Sequence, residues 1–273
     1  MTSSNNTSFI SQNRFHTVLT ELLFQLADDD FILSYRGSEW LGLAPHIEED
    51  VAFSSISQDL MGHAAMYYQL LEDLGVGKMD DLAHGRPYEE RRNAVVLELV
   101  NGPGHYLVEP QYDWAFAVVR NFFYTEAKKI RIDSLKTSCY KPLSDIAIKV
   151  KMELYYHLLH WRTWFTQLIS ASGEARTRME AAIKIVTDDF GGMLSLGPKE
   201  REMVELGLIE SEEVLKKRWI NSIKPIFESM NLVFPKKFGL KNGNGRNGEH
   251  TVDLKNALET LSEVYQIDPN AVW

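Results

Sequence analysis

The stretch "QDLMGH", Gln58–His63, decides how this chain is read. Its flanks carry a helical seam of Phe53, Ile56, Leu60, His63, Tyr67, Leu70 and Leu74, in which residues of one face recur at alternating steps of three and four. One imidazole stands on that otherwise apolar face. Buried without a partner, such a polar group costs about 1–3 kcal/mol, so the position predicts either a hydrogen-bonded core histidine or a ligand.

A second stretch repeats the arrangement. In "ELYYH", Glu153–His157, an acid again sits four residues before a histidine and a leucine three before it. Leu154 and His157 share a seam with Ala147, Val150, Trp161, Trp164 and Leu168. Two similar helical hairpins would place such copies on the second and fourth helices of a bundle.

The rest of the chain supports that frame. Residues 1–12 are polar and predict a disordered tail, followed by a single helical domain over 13–273. Val18, Leu19, Leu22, Leu23 and Leu26 predict a first helix from Phe15 to about Tyr35, ended by "RGSEWLGLAP". The second helix covers 46–74. After a loop come "AVVLELV", short helix or extended piece, and the turn "NGPGH". A third helix fits 110–136 with Phe116, Val119, Phe123, Glu126 and Ile130 as its seam, and a fourth fits 142–171. Shorter helices follow at 174–190, 199–206, 211–230 and 251–264. No alternating β-branched run is long enough for a sheet, so the fold class is all-α, a four-helix bundle with additional C-terminal helices.

Composition excludes several functions. A net charge of -9 with no basic cluster argues against nucleic acid and anionic membrane as partners. No apolar run reaches a membrane span and the N-terminus lacks a signal-peptide pattern. The single cysteine, Cys139, excludes an intrachain disulfide framework and fits a reducing compartment; cytoplasm is the expectation.

Di-metal carboxylate bundles place a Glu on each of two helices and a Glu-x-x-His on each of the other two. The three-residue spacing brings both donors onto one helix face. His63 and His157 occupy the histidine positions, the third helix offers Glu126, and the first offers Asp30, within about 60° of the Leu19 and Leu26 directions. Both glutamates of the pairs are missing, with Leu60 and Leu154 in their places. Asp59 and Glu153 lie one residue earlier, able to bond their own histidines at i, i+4 or to swing in as irregular ligands. Singly, each residue has an ordinary reading: the histidines as core groups, Glu126 paired with Lys128 or Lys129, Asp30 as a helix end. Together they predict a degenerate metal site.

These segments resemble a known family. "GSEWLGLAPHIEEDVAFSSISQDLMG", "YEERRNAVVLELVNGPG", "ELYYHLLHWRTW" and "GEHT" before a terminal helix are similar, in order and over about Phe15–Trp273, to the C subunits of bacterial phenylacetyl-CoA 1,2-epoxidases. That family implies a ferritin-like bundle without catalytic residues or cofactor of its own, paired with a related di-iron catalytic A subunit that is fed electrons by a reductase. In the catalytic subunits the second-helix motif reads Gln-Asp-Glu-x-Gly-His, so "QDLMGH" departs from it at Leu60, where the ligand should be. C subunits can lack the histidine matching His63, whereas this chain keeps it and has acids at 30 and 126. Three functions remain open on the residues: an accessory subunit, self-associating as a homodimer in isolation; a metal-dependent oxidase or oxygenase using Asp30, His63, Glu126, His157, Asp59 and Glu153; or a bundle binding an apolar ligand among Tyr67, Tyr155, Tyr156 and Trp161.

Overall fold

In the computed structural model, backbone is described for residues 2–171 and 173–271, and side-chain surroundings for 12–171 and 173–271. Four long helices form its centre: α1 (Thr2–Ser38), α2 (Ile47–Asp73), α4 (Trp114–Leu135) and α5 (Lys141–Ser170), with the short α3 (Val95–Glu98) between the hairpins. Then come α6 (Glu174–Asp189), α7 (Glu200–Glu205), α8 (Glu212–Ser229), α9 (Val252–Leu261) and α10 (Glu263–Ile267). Among the described residues the only β geometry is an isolated bridge between His105 and Val108. The tail expected over 1–12 falls mostly on residues whose side chains lie outside the described ones; the backbone of α1 starts at Thr2.

Local chemistry sets the helix ends. The third long helix starts at Trp114 rather than near 110, because Asp113 caps it by accepting from the Ala115 N–H at 2.9 Å. Asp50, in the first turn of α2, accepts from the N–H groups of Gly42 and Ala44 and so closes the α1–α2 elbow. Pro142 sits in the first turn of α5, where its missing N–H costs nothing.

α1–α2 and α4–α5 are hairpins, joined by the long crossover of residues 74–113. Asp59 meets His157 and His63 meets Glu153, so α2 and α5 run antiparallel. α1 and α2 approach closely at Gly37, where an added Cβ would lie 2.2 Å from Ser57 Oγ. α4 is buried on nearly every side, since α6 and α8 cover what α1 and α5 leave open; Trp219 of α8 donates to the Phe123 carbonyl at 3.2 Å.

Three consecutive acids, Asp28, Asp29 and Asp30, tie α1 to its surroundings. At 100° per residue each faces a different neighbour. Asp28 accepts from Tyr68, Arg86 and Arg91; Asp29 is clasped by Arg246 through both oxygens and reached by Arg131; Asp30 meets Lys128 and Tyr124. Burial acts to raise Asp28, yet Arg86, Arg91 and Tyr68 hold it below the usual carboxylate range. The "GEHT" segment is fixed similarly: Glu98 of α3 contacts His250 Nδ1 and accepts from the Thr251 N–H and hydroxyl.

Candidate functional site

The acids of the two repeated stretches do not bond the histidines of their own helices, as i, i+4 spacing suggested. They cross over. His63 Nε2 lies 2.5 Å from Glu153 Oε2, and His157 Nε2 lies 2.8 Å from Asp59 Oδ2. Antiparallel helices with equal spacing make this reciprocal pairing possible, and the crossed bonds form in place of the i, i+4 bonds that each helix would also allow. The two imidazoles are buried, 6.3 Å apart between ring centres, while the two carboxylates reach the surface.

From α4 comes a group that helical periodicity does not single out. Lys128 Nζ lies 2.7 Å from each oxygen of Asp30 and 2.7 Å from His63 Nδ1, and the Tyr124 hydroxyl donates to the same Asp30 carboxylate. An ammonium has three donors, and Nζ here faces three acceptors, so the geometry fits a charged lysine beside a charged aspartate. Burial pushes Lys128 down and Asp30 up, and each opposes the other's shift. With Lys128 donating to Nδ1, His63 carries its proton on Nε2 and donates it to Glu153. Burial, then the Lys128 charge, then His157, push His63 far below its ordinary value, so the ring is neutral. His157 is also lowered by burial, against the pull of Asp59.

Glu126 is not part of this group. Its carboxylate accepts from Ser222 of α8 at 2.5 Å and lies 3.4 Å from Lys129. Residues 124 and 128 share one face of α4, and 126 is about 200° from both. Asp30, in contrast, is inside the group and no helix end, since α1 continues to Ser38. Leu60 and Leu154 pack in the core beside the histidines, 3% and 1% exposed.

The apolar-ligand reading fails on its lining. Tyr155 and Tyr156 point outward, 66% and 70% exposed. The void beside Tyr67, Tyr124 and Lys128 measures about 10 Å³, room for one water. A larger recess of about 320 Å³ lies at the α1–α2 elbow between Trp40, Phe53, Met61 and Leu261, away from the histidines. Among the described residues no group of three or more His, Cys, Asp or Glu is arranged to hold a metal ion.

The profile of the phenylacetic acid catabolic protein family matches residues 5–273. The chain belongs to that family. The C subunit of 1,2-phenylacetyl-CoA epoxidase from Escherichia coli (strain K12) is 25% identical over 256 residues, spanning 93% of this chain and 99% of the relative. The family resemblance carried by "QDLMGH" and its companion segments is therefore met. In this member of the phenylacetic acid catabolic family, no described helix is long and apolar enough to cross a membrane.

Proposed function

We propose that this chain is a non-catalytic subunit of a phenylacetyl-CoA epoxidase, holding a related di-iron catalytic subunit in its active shape while a reductase serves that catalytic subunit. The observation that carries the reading is Lys128. Its ammonium sits between Asp30 and His63, on the two side chains that a di-metal bundle would use as ligands.

The residues do not fit a di-metal centre. A lysine charge there neutralises Asp30 and fixes the Nε2 proton of His63, so neither can serve as a ligand without expelling the lysine. Leu60 and Leu154 supply no oxygen, and Glu126 is committed to Ser222 and Lys129. With one internal cation in place of two metal ions, the bundle keeps the ferritin-like shape and loses the chemistry. The similarity to the C subunit of an epoxidase supports assembly with other subunits.

Mixing the chain with the catalytic subunit of the same epoxidase tests the assignment. A co-eluting complex is expected in size-exclusion chromatography at micromolar concentration, with Lys128→Met altering stability but not turnover per assembled complex. Separate elution, or turnover that requires Asp30, His63 or Lys128 in assembled complexes, contradicts it.

A further inference from the structure

α5 carries two apolar seams. The first, from Leu143 through Leu154 and Trp161 to Ile169, is buried. The second lies on the opposite side: Ile148, Met152, Tyr155 and Leu159, spaced four, three, four and all more than half exposed, with Tyr156 beside them. A seam at that spacing, free of charge within it, is the surface one helix offers to another. Charges stand only beyond and beside it. Asp145 and Arg162 mark its two ends, and Lys151 is already paired within the chain to Asp133 at 2.9 Å.

We propose that this seam receives the same seam of a second copy of the chain, antiparallel about a twofold axis passing between residues 153 and 154. In that register Ile148 meets Leu159 of the second copy and Met152 meets Tyr155 of the second copy. The same register sets Asp145 opposite Arg162 of the second copy, and the symmetry makes every one of these contacts twice. A parallel arrangement sets Asp145 against Asp145 and loses this complementarity. Asp145 now pairs with Lys141 on its own helix; both are well exposed, and such a pair contributes little that would resist exchange. Aromatic and methionine side chains at the centre with opposite charges at the rim is the usual anatomy of a protein interface. This inference goes beyond the subunit assignment and does not depend on it.

Sedimentation velocity of the full chain alone, from 1 to 100 µM, tests it. A species of twice 31.3 kDa is expected to grow with concentration. Met152→Lys, at an exposed position that leaves the helical circular dichroism unchanged, should raise the dissociation constant at least about a hundredfold. Asp145→Arg and Arg162→Asp should each weaken association about five- to tenfold, and the double variant should return to within about threefold of the parent. A 31.3 kDa species at every concentration overturns the proposal, as does a dimer indifferent to Met152→Lys. Failure of the charge-reversed double variant to recover overturns the register. Seam variants that stay dimeric but lose the catalytic subunit would assign the seam to that subunit, overturning this inference while leaving the subunit assignment standing.

Discussion

Lys128 is the residue on which the most depends. It compensates a carboxylate that is 1% exposed, and removing one partner of a buried ion pair leaves an uncompensated charge. Lys128→Met is expected to lower the unfolding free energy by about 3–5 kcal/mol, and Asp30→Asn in the same chain to recover a substantial part of it. Urea unfolding of the parent and the two variants checks both. The histidines give a second expectation. Because burial keeps His63 and His157 neutral in the fold, the unfolded chain binds the extra protons as pH falls through about 6.5. Stability should therefore decline between pH 7 and 5.5, by up to about 1.4 kcal/mol per pH unit for each histidine, and His63→Gln should flatten the decline. A slope unchanged by His63→Gln contradicts a neutral, buried ring. Reading the sequence found His63, His157, Asp30 and the two leucines, because a polar residue in an apolar seam stands out. Lys128 stood out only as a possible partner of Glu126, Tyr124 did not stand out at all, and Glu126 was placed in the site where Lys128 in fact sits. On a helix buried on nearly every side, periodicity does not say which face meets which neighbour.

At the scale of elements, the closest approach of α1 and α2 at Gly37 has a direct test. A Cβ there meets Ser57 Oγ at 2.2 Å and a Phe53 ring carbon at 2.9 Å. Gly37→Ala should cost about 1–3 kcal/mol through overpacking, even though alanine favours the helix, and Ser57→Ala should relieve part of that cost. Thermal or urea midpoints of the two single variants and the double decide it; a stabilising Gly37→Ala would mean the helices are free to move apart. Element boundaries were legible wherever a cap or proline marks them, as at Pro142 and the glycines of "RGSEWLGLAP". The start of α4 was legible only once Asp113 was seen as its cap. The crossing of Asp59 and Glu153 to the opposite histidines was not legible, because it depends on α2 and α5 lying side by side and antiparallel.

For the whole molecule, four long helices enclose a centre filled with protein charge. Asp30, Lys128, His63 and Glu153 form one continuous chain of hydrogen bonds from the core to the surface. The number of long helices followed from seam counting, whereas the packing of α8 over α4 rests on contacts far apart in sequence, such as Trp219 with Phe123. The central claim is that this interior holds an ammonium between the two side chains, Asp30 and His63, that a di-metal carboxylate bundle would use as ligands. The most direct measurement is iron per chain after anaerobic loading with ferrous ion and desalting, read by elemental analysis alongside the optical spectrum. The parent chain is expected to retain close to no iron. Roughly two irons per chain, with a charge-transfer band on exposure to O2, would mean that Lys128 yields its place and that the chain is an oxygenase in its own right.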